Sequence, residues 1–173
     1  IMGSFLASCI KRRNLMRKLE DMSYKDQLTG AGNRFALNRY VQQMDRERSI
    51  GVIYCDITGL KYENDTKGHD SGDRLIMRAC HCLEKVFEEF GIFRIGGDEF
   101  LVLCPEITKD ELQERIDRLK EQMQEDSVNM AIGQIWQEQA TTELNTLLQE
   151  SEKQMYIDKA EYYKKSGIER RRC

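Results

Sequence analysis

The chain has no basic excess. Its 27 lysines and arginines stand against 30 aspartates and glutamates, a formal net charge of −3. That argues against a general nucleic-acid binder, which needs surplus cations for the phosphate backbone. A nucleotide ligand stays open, because a few local cations and a metal can hold a phosphate. Zinc-type spacing is missing too. The six cysteines, at 9, 55, 80, 82, 104 and 173, form no CxxC pair, and His69 and His81 stand in no ligand spacing with them. Cys55 and Cys104 lie in apolar runs, where a free thiol serves as a small core residue. Reduced cysteines and a cytoplasmic location are therefore expected. Proline is nearly absent, Pro105 being the only one, and no low-complexity tract or internal repeat is visible. A length of 173 residues then fits one domain with a short appendage and allows a real core.

A full membrane span is also missing from the opening. Residues 1–10, IMGSFLASCI, are mostly apolar, but a spanning helix needs about twenty such residues. They read either as the cut end of a transmembrane helix, with Lys11, Arg12 and Arg13 on the cytoplasmic side, or as a helical linker. On the first reading the chain is the cytoplasmic portion of a membrane protein, and a membrane tether or sensor domain precedes residue 1. Leu15, Leu19 and Met22 follow at helical spacing, a stripe suited to a coiled-coil seam. The expected organisation is an N-terminal helical linker over 1–25, one domain over 26–165 and a basic tail over 166–173 ending in Arg170–Arg172.

What is present alternates in type. Asn33 reads as the cap of a helix over 34–47. IGVIYCDI (50–57) reads as a buried strand and 71–90 as a helix with Leu75, Ile76, Ala79, Leu83, Val86 and Phe87 on one face. IFRI and EFLVLC form a hairpin. Thr108 and Glu111 form a capping box opening a helix over 108–124. A strand over 127–136 and an amphipathic helix over 141–165 complete an α+β sandwich, with helices packed on an antiparallel or mixed sheet.

The hairpin carries the chemistry. FRIGGDEFLVLC (93–104) places Gly96, Gly97, Asp98 and Glu99 inside an apolar run. The plain alternative is a solvated acidic turn. Asp56, however, ends the buried strand. If the hairpin lies beside that strand, three carboxylates converge, and they repel one another unless a cation joins them. Hard oxygen donors suit Mg2+ (or Mn2+) working with substrate phosphates. Between the two acidic points runs DITGLKYENDTKGHDSGD, read as a polar, glycine-bearing loop able to turn backbone N–H groups toward a phosphate. Asn64 and Asp73 are candidate readers of a guanine edge.

RIGGDEF, preceded by DQLTGAGNR and DITGLKYENDTKGHDSGD, resembles the GGDEF family of diguanylate cyclases, with three motifs in the right order over Asp26 to Lys164. The resemblance implies a mostly antiparallel five-stranded sheet flanked by helices, similar to polymerase palms and nucleotidyl cyclases. It implies condensation of two GTP into cyclic di-GMP with release of two pyrophosphates. It assigns metal binding to Asp56, the Ile57 carbonyl, Asp98 and Glu99, with Glu99 and Asp98 as the catalytic acids. Thr58, Gly59, Leu60 and Lys61 would hold the terminal phosphates, Asn64 and Asp73 the guanine, Gly96 and Gly97 the approach to ribose and α-phosphate, and Lys159 the γ-phosphate. Because one domain holds one GTP, a homodimer is implied, with no nucleic acid involved.

Three positions depart from that pattern. Thr58 replaces a second acid that is not the main ligand. Phe87 and Phe90 stand where the family's product-inhibition arginine and aspartate are expected, so no such site is expected here. Tyr163 stands where a phosphate-binding arginine is expected. Two functions follow: an active GTP-condensing enzyme, or a silent GGDEF-type module that binds GTP and regulates a partner.

Overall fold

In the computed structural model, which describes residues 10, 12, 23–140 and 143–166, the alternation resolves into five helices around one sheet. Helix α1 spans Arg34–Gln43, strand β1 Ile50–Ile57, helix α2 Leu60–Lys67 and helix α3 His69–Phe87. Strands β2 (Gly91–Arg94) and β3 (Glu99–Pro105) form the hairpin, followed by α4 (Lys109–Glu125), β4 (Met130–Gln137) and α5 (Leu144–Ser166). The stripe of Leu15, Leu19 and Met22, the cluster Lys11–Arg13 apart from Arg12, and the tail beyond Ser166 lie outside the described residues. Among the described residues, no helix is long and apolar enough to cross a membrane.

The sheet has the order β2-β3-β1-β4, and every pairing in it is antiparallel. Alternation of side chains along each strand builds two cores, one per face. Ile53, Cys55, Ile57, Phe100, Val102 and Cys104 face α3 and α4 and join Leu83, Phe87, Ile116 and Leu119. Ile50, Val52, Tyr54, Leu101 and Leu103 face the other way, against Leu147 and Met155 of α5 and the partly buried Leu37 and Tyr40 of α1. Strand β1 is buried along its whole length, as expected of a central strand covered on both faces. Burial pushes the Cys55 thiol up to about 12, so it serves packing rather than nucleophilic chemistry.

Two expectations are corrected. The sheet has four strands among the described residues, where the family resemblance implied five. The outer edge of β4 is closed by a helix instead. The Ile132 N–H donates to Asp158 Oδ2 at 2.8 Å and the Gln134 N–H to Gln154 Oε1 at 3.3 Å. Side chains one turn apart on α5 thus take the place of a neighbouring strand and blunt the exposed edge. Helix α5 comes this close because Gly133 has no side chain: a Cβ there would overlap the Ser151 carbonyl oxygen and crowd the Met155 nitrogen.

The second correction is α2, which occupies the stretch read as a loop. None of its residues is buried, so it lacks the apolar period that marks a helix in sequence. It is held by its neighbour. Glu63 accepts from Ser71 Oγ at 2.6 Å and from Lys67 Nζ at 3.2 Å. Elsewhere the boundaries move little. Asn33 caps α1 by accepting from the Phe35 and Ala36 amides, and Thr108 caps α4 through the Glu111 amide. Helix α3 starts at His69 and stops at Phe87, and β4 starts at Met130 rather than 127.

Candidate active site

Strand β1 delivers Asp56 to the end of the sheet, directly across from Glu99 in the β1–β3 register. Both belong to the α5 face, since Asp56 shares parity with Tyr54 and Val52. The turn between β2 and β3 closes onto β1 by a hydrogen bond from the Ile57 N–H to the Asp98 carbonyl at 2.9 Å. A Cβ at Gly96 would overlap the Glu99 carboxylate, so that glycine makes room for Glu99 as well as for any ligand. Gly97 is exposed and its missing Cβ would meet nothing within 4 Å. Neither glycine has a positive φ. Their value is space, not a left-handed turn.

Lys159 of α5 reaches across to this end of the sheet. Its ammonium lies 2.7 Å from each oxygen of Asp56, with hydrogen-bond geometry to Oδ2. Asp56 Oδ1 is buried with no hydrogen-bond donor. Burial pushes the Asp56 carboxyl above the usual range; Lys159 opposes this, and the charges of Asp98 and Glu99 add to it. The Tyr54 hydroxyl, on the same face, is held protonated by burial and by the nearby charge of Glu99. Two acids in register and a third at the turn supply hard, anionic oxygen donors of the kind a divalent cation takes. Among the described residues no three acidic, histidine or cysteine side chains are gathered into a ready coordination cage. The expected convergence of three carboxylates is thus not reached among the described residues: Asp56 and Glu99 form a facing pair in register, and Asp98 stands at the turn.

The phosphate stretch is the start of a helix. Gly59, at φ +82°, is the N-cap of α2 and offers no side-chain cap. The first-turn amides of a helix lack intrahelical acceptors and carry partial positive charge, a natural anion site. The α2 N-cap lies three residues after Asp56. Thr58 is committed elsewhere: its N–H and its hydroxyl both meet the Asn129 carbonyl, at 2.9 and 3.2 Å. Leu60 and Lys61 form the opening turn itself. Asn64 lies on the α3 side of α2, where a Cβ at Gly72 would overlap its carboxamide. Asp73, exposed, is the next residue. The structure thus packs Asn64 against α3 at Gly72, the residue before Asp73.

A clamp holds the acidic turn from behind. Asp26 Oδ1 accepts from the Thr29 N–H at 3.0 Å, the Thr29 hydroxyl at 2.8 Å and Arg94 Nη1 at 2.9 Å. Arg94 Nη2 donates to the Gly97 carbonyl at 2.7 Å, and Arg34 Nε donates to the Ile95 carbonyl. Burial works to raise the Asp26 carboxyl, but the Arg94 and Thr29 hydrogen bonds outweigh it and hold it below the usual range. Sequence reasoning missed Asp26 as the partner of Arg94. It missed Tyr54 as well, although its place two residues before Asp56 on an alternating strand puts both on one face.

Of the departures, Phe87 is fully buried in the core. Phe90 lies under the Arg115 guanidinium, whose carbon is 5.1 Å from the ring centroid. Arg115 is spent on the Val86 carbonyl at 2.7 Å, Glu111 at 3.2 Å and Glu89. Tyr163 lies one turn beyond Lys159 and meets Tyr162 edge-on, ring centroids 5.4 Å apart.

The diguanylate cyclase GGDEF-domain family model matches residues 23–165. An uncharacterised protein from the hutH 5′ region of Streptomyces griseus is 34% identical over 111 residues, covering 60% of this chain and 46% of that protein. The chain spans only 35–46% of the length of such curated relatives. Among solved structures, the coiled coil and GGDEF domain of DgcB from Caulobacter crescentus, in complex with c-di-GMP, superposes with a TM-score of 0.80 at 17% identity, covering 92% of both chains. Diguanylate cyclase SiaD of Pseudomonas aeruginosa, in complex with its activator SiaC, gives 0.71 at 23% identity over 92% of this chain and 68% of that one. With a family model covering most of its length and the acidic turn, facing aspartate and helix start in place, the chain belongs to the GGDEF-domain family of diguanylate cyclases.

Proposed function

We propose that the chain condenses two GTP into cyclic di-GMP, each domain supplying half of the reacting pair. The observation that carries this reading is the Asp56–Glu99 pair facing across the β1–β3 ladder beside the start of α2. In this reading the first-turn amides of α2 hold the β- and γ-phosphates, while Asn64 and Asp73 hold the guanine edge. Gly97 leaves space for the ribose and α-phosphate. Asp56, Asp98, Glu99 and the Ile57 carbonyl would hold Mg2+ or Mn2+. A bound divalent ion supplies a Lewis acid at the α-phosphate and lowers the pKa of the attacking hydroxyl. Glu99, with Tyr54 beside it on the same face, would act at the 3′-hydroxyl.

In each of two steps a 3′-oxygen bonds to the α-phosphorus of the other GTP, and the bond to pyrophosphate breaks. A single half-site cannot bring its own 3′-oxygen to a second α-phosphorus, so two copies have to face each other. A second reading, a GTP-binding regulatory module, is favoured by Tyr163 standing where a phosphate-binding arginine is expected. Incubation of purified protein with GTP and Mg2+, with mass-spectrometric identification of products, separates the two. Cyclic di-GMP and pyrophosphate at a 1:2 ratio support the enzyme. Stable GTP binding without turnover supports the module.

A further inference from the structure

We propose that Lys159 is the resident cation of this acidic site: it neutralises Asp56 in the free protein, must leave before a divalent ion can bind there, and is drawn away by the nucleotide's phosphates, so that metal and nucleotide bind as a coupled pair. The inference rests on the reading just given and adds to it a lysine with two alternating partners.

The geometry forces a choice. The Asp56 side chain is 6% exposed and that of Lys159 is 17% exposed. A carboxylate buried to that degree is strongly destabilising without a cation beside it. Lys159 fills that need by lying 2.7 Å from both oxygens, yet it leaves Oδ1 without a hydrogen bond. A magnesium ion binds carboxylate oxygen at about 2.0–2.1 Å, which would place it against the ammonium. Two cations cannot share that space at low dielectric. One of them has to move, and the flexible four-carbon stem of lysine allows it.

The start of α2, four residues beyond Asp56 in sequence, gives the lysine somewhere to go. Phosphates held there by the first-turn amides would offer the ammonium a second anionic partner beside its first. Ion and nucleotide then help each other onto the protein by equal factors, because coupling between two ligands is reciprocal. The free protein, in turn, resists loading with metal alone.

The test uses the full chain and binding of Mn2+, read from the electron paramagnetic resonance signal of the free ion. Binding is measured alone and with a GTP analogue whose α–β bridge is carbon. The Lys159→Met variant is expected to bind Mn2+ at least about tenfold more tightly than the parent without nucleotide, a unit charge having left the site. The analogue is expected to raise the parent's Mn2+ affinity by a larger factor than the variant's. Should Lys159→Met fail to fold, labelling of the parent Lys159 amine by an acylating reagent, followed by mass spectrometry, reports the same exchange. Labelling should be slow in the free protein, faster with Mg2+ alone and slow again with Mg2+ and analogue.

A folded Lys159→Met protein with the parent's Mn2+ affinity, or labelling unmoved by saturating Mg2+, overturns the proposal. If the parent meanwhile makes cyclic di-GMP, the cyclase reading survives that loss. If neither protein binds Mn2+ even with the analogue, the metal assignment and the proposal fall together.

Discussion

Asp26 and Asp56 show how two aspartates in one domain acquire opposite pH behaviour. Asp56 is raised by burial, so its contribution to folding weakens as pH rises through its folded-state value. Asp26 is held below its ordinary value of 3.8. Just under 3.8 the unfolded chain therefore binds a proton that the folded one does not. The stability from Asp26 is complete above that pH and is lost as pH falls through the folded-state value. Replacing it by asparagine is expected to cost about 1.5–3 kcal/mol at pH 7, the range for hydrogen bonds to a charged group, and to flatten the acid limb of the stability curve. Urea titrations of parent and Asp26→Asn from pH 7 down to pH 3 check both. Asp56, Asp98 and Glu99 were legible in the sequence, because carboxylates inside apolar runs demand a reason, whereas Asp26 was not. Nor were the partners of these acids. Lys159 is separated from Asp56 by 103 residues, and Arg94 from Asp26 by 68, distances over which neither periodicity nor spacing carries information.

At the scale of elements, legibility follows burial. Strand β1 was readable because it is apolar and buried throughout, and helix α3 because it buries one clear face. Helix α2 was not, having no buried residue and taking its stability from Glu63, Ser71 and its contact with α3. The edge of the sheet was missed for a related reason: Gln154 and Asp158 look like solvent-facing residues of an amphipathic helix, yet they accept the outward amides of β4. That arrangement depends on Gly133. Gly133→Ala is expected to destabilise the domain by about 3 kcal/mol, the upper end for overpacking, because the obstacle is the α5 backbone rather than a side chain that can rotate. Guanidinium unfolding reads this directly, and an alanine variant as stable as the parent would refute the close α5–β4 contact. The α3–α4 surface carries another prediction. Phe87 is in the core, and Arg115, already engaged by Val86, Glu89 and Glu111, presents no open fork to a phosphate. No submicromolar cyclic di-GMP binding is expected at that surface. Calorimetry with an active-site variant, in which only a second site remains, checks it.

Over the whole molecule, the fold class and the antiparallel pairing were legible from the order of elements, while the strand count was not, because helix α5 closes an edge that another strand could have covered. The candidate site occupies one end of the sheet, where Lys159 of α5 reaches Asp56 and α2 begins four residues beyond it. On the proposed function a site built this way holds one nucleotide, which would make catalysis a property of two copies. The most direct measurement is the specific rate of cyclic di-GMP formation from GTP and Mg2+ as a function of protein concentration, with Asp98→Ala as the control. The expected result is a specific rate that climbs with concentration to a plateau, cyclic di-GMP and pyrophosphate as the products, and no product from a folded Asp98→Ala protein. A specific rate independent of concentration in a protein that stays monomeric, or parent-level product from Asp98→Ala, would contradict the paired half-site mechanism and the role of the acidic turn.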